Sequence, residues 1–392
     1  MIEDLLRQDV QDYINKVLDE PINKLALSKN PFPTLDWGIL LEQIAAKQKS
    51  KTKLPTWFQT SGIVFPSKVS VEQTSSERTA QFKSQLISGQ SLIDMTGGFG
   101  VDDYFFAQHF QQVVHCEMNA ELSQKVSHNF VQLKQDNIET CFGDSFEVLK
   151  QRNQQFDWMY VDPSRRHDAK GKVFLLSDCL PNVPELQEQY FEYTKGILVK
   201  TAPLLDISAA LSELNQVQKV FVIALENEVK ELLFLMVKGF TDATTIEAIN
   251  LVKDKIYRFE HPLEDADHDV FDLPQKYLYE PNAALMKSGL FHAIGQRFGL
   301  SKLHQHSHLY TSETLVADFP GRIFEIQQQL PYNKKTGKEV LQGMQTNLSM
   351  RNFPGTVEEL KRKWKMKDGS NTYTFATTTF EDEKIILICH KL

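Results

Sequence analysis

From residue 91 to residue 225 the chain alternates short apolar runs with helical stretches, and this alternation restricts the fold more than any other feature of its 392 residues. Runs at 92–94, 113–117, 139–142, 158–162, 197–200 and 220–225 are short, apolar and bounded by turn or polar residues, the pattern of strands. Between them, 104–109, 120–134, 145–150, 184–194 and 207–215 carry helix-spaced apolar residues. Strand and helix in strict alternation predict an α/β fold, a parallel sheet covered by helices. A helix over 229–238 and an antiparallel hairpin, 244–252 with 255–260 turning at Lys253-Asp254, then complete a seven-stranded sheet.

The flanks read differently. Leu5, Leu6, Val10, Tyr13, Ile14, Val17 and Leu18 form one helical stripe, and 37–46 repeats the pattern after Pro31-Phe32-Pro33, so 1–70 is an N-terminal helical segment. Thr74 and Glu77 have capping-box spacing for a helix over 75–88, which opens a domain spanning 71–262. Glu264, Asp265, Asp267, Asp269 and Asp272 make 262–274 too acidic for a core element and suit a linker. Beyond it, a helix over 282–298 and strands at 307–311, 322–327, 373–379 and 384–390 give an α+β remainder, one or two small modules. The longest apolar run, 232–237, is far short of the roughly 18 residues of a membrane span. The acidic start Met1-Ile2-Glu3-Asp4 has no secretory n-region, so a cytoplasmic location is expected. Cys116, Cys141, Cys179 and Cys389 form no C-x-x-C pair, which argues against a zinc ribbon or redox dithiol.

The sharpest chemical signal is DMTGGFGVD, residues 94–102, where the first strand meets the first helix. Gly97, Gly98 and Gly100, with Thr96, form a loop whose backbone N–H groups approach a ligand closely. The dinucleotide fingerprint G-x-G-x-x-G fails, because Gly98 and Gly100 fit but its last position is Asp103. Asp94 at the strand end suits a ligand with a cationic amino acid end. Glu117, followed by Met118, ends the second strand about 20 residues on, where a carboxylate accepts from a ribose diol. Asp144 and Ser145, after Cys141-Phe142-Gly143, follow the third strand, where an acid accepts from an adenine amino group and Phe142 can lie against the ring. Each acid has a plainer reading as a helix cap or a solvated charge. Three in succession at the ligand-binding edge of an open α/β sheet describe an adenosyl site.

The fourth strand ends in Asp162-Pro163-Ser164-Arg165-Arg166, which resembles the acid-proline motif of class I S-adenosylmethionine-dependent methyltransferases. Together with residues 94–102, Glu117 and Asp144 the resemblance covers about 71–260. It implies S-adenosylmethionine as cofactor, with Asp94, Thr96, Gly97, Gly98, Gly100, Glu117, Met118, Asp144, Ser145 and Asp162 around it. It also implies that Asp162, Pro163 and Ser164 position an amino group beside the methyl. Two departures stand out: Thr96 replaces a frequent glycine, and Ser164-Arg165 replaces the usual second proline and aromatic. More narrowly, DPSRR with YLYEPNAALMKSGLF (277–291), SHLYTS (307–312), FPGRIFEI (319–326) and RNFPGTVEELKRKWKMKDG (351–369) resembles bacterial RNA methyltransferases carrying a THUMP-like C-terminal domain. That resemblance implies a Rossmann-like catalytic domain, a ferredoxin-like connector at 275–320, a THUMP-like RNA-binding domain at 321–392, and a tRNA or rRNA partner.

The charge distribution fits. The net charge of −8 hides +4 over residues 321–392, from 12 Lys and Arg against 8 Asp and Glu, which leaves −12 before them. Thr356 and Glu359 have capping-box spacing for a helix leading into Lys361-Arg362-Lys363-Trp364-Lys365-Met366-Lys367, cations with an aromatic among them that suit phosphate contact and stacking. The plainer reading is a solvated face with Trp364 in the core. Arg165 and Arg166 are candidates to hold phosphates around an unstacked base, or else to pair with nearby acids. His304, His306 and His308 alternate and in a strand would share one side, but no Cys or paired acid supports a metal site there, and none is expected. A cysteine nucleophile would need a thiol beside the fourth-strand motif, and the local sequence offers none. The expected function is methyl transfer to a nitrogen of an RNA base. Two alternatives are a non-catalytic RNA-binding or assembly factor on a degenerate fold, and methylation of a protein or small molecule.

Overall fold

The computed structural model describes residues 2–165, 175–263 and 269–392. The chain folds as two compact units, Met1–Gln218 with Leu232–Thr241, and Lys219–Glu231 with Asp242–Leu392. In chain order the strands up to the fold's first large turn are β1 (Gly89–Asp94), β2 (Phe110–Glu117), β3 (Ile138–Phe142), β4 (Phe156–Val161), β5 (Ser164–Arg165), β6 (Cys179–Leu180), β7 (Thr194–Thr201), β8 (Val217–Leu225) and β9 (Glu228–Val237).

In the first unit β1 pairs in parallel with β2 and β4, β2 with β3, and β4 with β7. Parallel pairing brings the carboxyl ends of β3, β2, β1, β4 and β7 to one edge, where open α/β sheets bind ligands. The register sets Asp94 opposite His115 and Tyr160, and Glu117 opposite Phe142. This is the expected α/β, Rossmann-like class.

Residues 229–238, expected as a helix, are a strand. Residues 231–236 of β9 are all buried, and its second half runs antiparallel to β7. A strand buried on both faces is continuously apolar and shows no alternation to distinguish it from a buried helix. Glu226 and Asn227, with φ of 50° and 64°, form the two-residue turn between β8 and β9, and left-handed backbone at both positions is what a tight hairpin requires.

The N-terminal helices share the first unit's core: Trp57 is fully buried with Phe65, Phe99, Phe105, Val126 and Phe130. The helix expected over 75–88 spans Glu77–Ser84, and its cap is Ser76, whose Oγ accepts from Thr79 N at 3.2 Å. Glu77, expected in a capping box with Thr74, instead accepts from Thr56 N at 2.5 Å and Thr56 Oγ1 at 2.8 Å.

In the second unit β10 (Thr245–Val252) is parallel to β8 and antiparallel to β11 (Lys255–Pro262), with Val252 opposite Lys255 at the turn read from the sequence. The remaining strands are β12 (Tyr277–Pro281), β13 (Ser301–Lys302), β14 (Tyr310–Ser312), β15 (Gly321–Pro331), β16 (Asn347–Arg351), β17 (Thr372–Thr378) and β18 (Lys384–Lys391). They form one sheet in the order β13-β14-β12-β15-β18-β17-β16, and β15 pairs with both β12 and β18. The helix expected over 282–298 is two, Ala283–Ser288 and Phe291–Phe298, separated at Gly289 with φ of 75°. Asp269, assigned to a linker, instead has a buried side chain that pairs with Lys302 at 2.8 Å and His292 at 2.9 Å. Glu264, Asp265 and Asp267 lie outside the described residues.

Candidate active site

The glycine loop is built on His115. A Cβ at Gly97 would stand 2.2 Å from His115 Cε1 and Nδ1, so only glycine lets the loop lie on this ring. Gly98 has φ of 55° and faces open space, its nearest neighbour to a Cβ being Thr96 O at 3.7 Å. Gly97 N donates to Cys116 O at 2.9 Å, tying the loop to β2. Gly100, with φ of 75°, leads into the helix Val101–Phe106.

Thr96 explains its own departure from glycine. Its hydroxyl donates to Asp94 Oδ1 at 3.1 Å and accepts from Asp162 N at 2.7 Å. One side chain thereby joins the glycine loop to the fourth-strand motif. Asp94 is 1% exposed and also accepts from Thr96 N at 2.7 Å, so it shapes the loop from below.

Beneath the loop Asp94, Asp103 and His115 form a buried cluster, with His115 Nδ1 2.5 Å from Asp103 Oδ2. Burial pushes the Asp94 carboxyl well above the usual carboxylate range, reinforced by Asp103. Burial does the same to Asp103, reinforced by Asp102, and pulls His115 down. Desolvation outweighs ion pairing here, so burial works against charge on both partners of the His115–Asp103 hydrogen bond.

The acids further along the edge face outward. Glu117 is half-buried and accepts from Gly98 N at 3.1 Å and Asn119 N at 2.6 Å, which fixes its carboxylate beside the loop. Asp144 Oδ1 caps the helix Ser145–Arg152, accepting from Phe146 N at 2.9 Å and Glu147 N at 3.0 Å, so the plainer reading of this acid also holds. Met118 and Phe142 are 72% and 62% exposed beside these two carboxylates. Oriented acceptors flanked by exposed apolar side chains have the chemistry to take an adenosyl group: a diol to Glu117, an amino group to Asp144, a flat ring to Met118 and Phe142.

At the next strand end, Asp162 forms a short ion pair with Lys200 of β7. Pro163 is buried, while Ser164 and Arg165 are exposed in β5, which pairs with β6. Arg166 lies outside the described residues. The sequence missed Lys200, although a cation at the carboxyl end of the strand neighbouring Asp162 is a usable signal. It also missed Lys83, which is fully buried 3.0 Å from Asp102 and donates to Ser75 and Tyr160, each at 3.1 Å. Tyr160 OH in turn donates to Asp102 Oδ2 at 2.8 Å. Burial opposes the Asp102 charge, but the Lys83 and Lys200 ammoniums outweigh it and hold this carboxyl below its ordinary range. A thiol does come to the fourth-strand motif, contrary to the sequence expectation: Cys179 of β6 sits opposite Arg165. It is buried, and its Sγ donates to Leu175 O at 3.7 Å, which suits packing rather than nucleophilic attack.

In the second unit the capping box of Thr356 and Glu359 forms on the helix Val357–Trp364. Arg362, Lys363, Lys365 and Lys367 are exposed, and Lys361 pairs with Asp368. Trp364 is 8% exposed and belongs to the core with Leu341, Leu360 and Met366, so it offers no stacking face. Lys363 instead donates to Tyr332 OH at 3.0 Å. His304, His306 and His308 lie in a turn, not a strand, and His308 stacks on Phe291 with ring centroids 3.6 Å apart.

Residues 277–320 match the family model of a ferredoxin-like domain, and residues 321–391 that of a THUMP domain-like module. The crystal structure of a provisionally named methyltransferase from Porphyromonas gingivalis W83 is 31% identical and superposes with a TM-score of 0.90 over 99% of this chain and 98% of that one. An uncharacterized S-adenosylmethionine-dependent methyltransferase of Mycobacterium tuberculosis is 20% identical over 282 residues, 70% of this chain and 72% of that protein. The sheet and its loaded carboxyl edge are those of a class I methyltransferase. More particularly, the chain belongs to the S-adenosylmethionine-dependent methyltransferase family represented by the P. gingivalis protein, with ferredoxin-like and THUMP-like segments after the catalytic domain.

Proposed function

We propose that the protein methylates a nitrogen of an RNA base, using S-adenosylmethionine held along the carboxyl edge of β1, β2 and β3. The observation that carries this reading is the Thr96 bridge, which couples the glycine loop directly to the Asp162 backbone. When bound, S-adenosylmethionine supplies a methyl already activated by a sulfonium, so the protein's main task is alignment.

Asp162 accepts a hydrogen bond from the attacking amino group, and the Pro163 carbonyl accepts a second. Lys200 occupies one oxygen of Asp162 and balances its charge, which favours a hydrogen-bond acceptor over a proton acceptor, so the proton lost by the amino nitrogen once it bonds the methyl passes to solvent water. Ser164 and Arg165 are exposed two and three residues after Asp162, and in this reading Arg165 meets a phosphate of an unstacked nucleotide. The RNA target is supported by the THUMP-like match and by the exposed Arg362, Lys363, Lys365 and Lys367.

Mass spectrometry of nucleosides from total RNA of a deletion strain and its parent tests the reading. One methylated nucleoside should disappear and return on complementation. An Asp162→Ala protein should bind cofactor normally and lose roughly 10²-fold in turnover. An unchanged nucleoside profile, or wild-type turnover by that variant, refutes it.

A further inference from the structure

Three of the sequence segments that carry the narrow family resemblance, 277–291, 319–326 and 351–369, contribute none of the residues assigned above to the methyl-transfer site. Within the second unit all three meet around one cavity of about 690 Å³, a size typical of ligand pockets. Glu280 and Lys287 come from the first segment, Arg322 from the second and Arg351 from the third, joined by Lys391 and Tyr257. Four cations line the cavity against one carboxylate, Glu280, which leaves three positive charges.

That carboxylate is the anchor. Glu280 is 4% exposed. It accepts from Arg322 Nε at 2.6 Å on Oε2 and from Arg351 Nη2 at 2.9 Å on Oε1. The two guanidiniums are thereby held on one carboxylate, and the Arg322 and Arg351 side chains remain 38% and 34% exposed. A guanidinium carries more N–H donors than these contacts use, and its planar fork matches phosphate oxygens. Arg322 is further locked over the Phe324 ring, 5.5 Å from its centroid. Gly321 permits the arrangement, because a Cβ there would stand 2.2 Å from Glu280 O.

We infer that this cavity is a second, non-catalytic RNA site that grips one backbone phosphate between Arg322 and Arg351, with Lys391 at the rim and the half-exposed Tyr257 beside the base. The inference rests on the RNA reading above. A free nucleotide presents the same phosphate chemistry, and the experiment separates the two sources.

The test uses the full-length protein, a fluorescein-labelled single-stranded oligouridylate read by anisotropy, and adenosine 5′-monophosphate read by calorimetry. Arg351→Gln should weaken oligouridylate binding roughly tenfold, and Arg351→Lys should restore little of it, since the fork matters as well as the charge. Lys391→Gln breaks no buried pair, so it keeps the inference testable if the Arg351 variants misfold. It should weaken binding roughly threefold and reduce the salt slope by about 0.7. Cofactor affinity should be unchanged in all three.

Unchanged oligouridylate affinity in Arg351→Gln and Lys391→Gln overturns the site, while continued RNA methylation by wild type leaves the proposed function standing. If wild type methylates RNA and these variants lose only adenosine 5′-monophosphate, the pocket takes a free nucleotide and the RNA assignment is overturned. If wild type neither binds nor methylates RNA, both readings fall.

Discussion

Replacing Thr96 by valine keeps the side-chain shape and removes the hydroxyl that accepts from Asp162 N at 2.7 Å and donates to Asp94 Oδ1 at 3.1 Å. Asp94 keeps its bond from Thr96 N, so the loss falls mainly on the Asp162 N–H, which has no other acceptor in the loop. Leaving a buried amide unsatisfied costs about 1–3 kcal/mol. The Asp162 side chain is 36% exposed, water can relieve part of that cost, and the lower half of the range, about 1–2 kcal/mol, is expected. Urea denaturation should show a lower midpoint with an unchanged slope. The same bond sets Asp162 against the glycine loop, so turnover should fall roughly tenfold while calorimetric cofactor affinity changes little. Thr96→Ser should recover both. A valine variant with wild-type stability and turnover would show that the loop and the fourth-strand motif are aligned by something other than this hydroxyl.

Lys83→Met removes the buried ammonium 3.0 Å from Asp102 and should destabilise the protein by about 3 kcal/mol in thermal or chemical unfolding, the low end for a broken buried pair because Tyr160 still donates to Asp102. Changing Arg362, Lys363, Lys365 and Lys367 together to glutamine should flatten the salt dependence of RNA affinity and leave cofactor affinity alone, as paired titrations would show. The buried Asp94 and Asp103 carboxyls, raised by burial, favour the folded state fully below their ordinary value of 3.8 and less as pH rises through their folded values. His115, lowered by burial, acts oppositely: its contribution is present above 6.5 and fades as pH falls through its folded value. Asp103→Asn removes one of the two acids, so unfolding free energy should decline less between about pH 4 and about pH 8 than in wild type.

The edge that binds ligand was legible because β1, β2, β3 and β4 are short runs that each lead into an acid or a glycine loop, and parallel pairing brings those strand ends to one edge whatever the order of the strands in the sheet. What stayed hidden depends on partners far along the chain. Nothing near Lys83 in sequence announces that Asp102 and Tyr160 will enclose it, and Cys179 reaches Arg165 only through the β5–β6 pairing. β9 was misread because full burial erases periodicity. Trp364 was read both ways since an aromatic among cations carries the same letters whether it points in or out; a Cβ at Gly337 would lie 2.1 Å from its ring, which shows how closely that ring is packed.

The long strand β15 has a consequence for how the second unit comes into being. It begins where the THUMP-like match begins, yet it hydrogen-bonds on one side to β12 of the ferredoxin-like match and on the other to β18, the latest strand in the sequence. During synthesis the ferredoxin-like strands emerge first but must wait for residues 384–391 before the middle of their sheet is closed. Until then β15 presents an open edge, the state from which strands mispair. A truncation at residue 320 or 321 would therefore not release a free-standing module; it would cut a sheet through its centre and leave both halves with an unpaired margin.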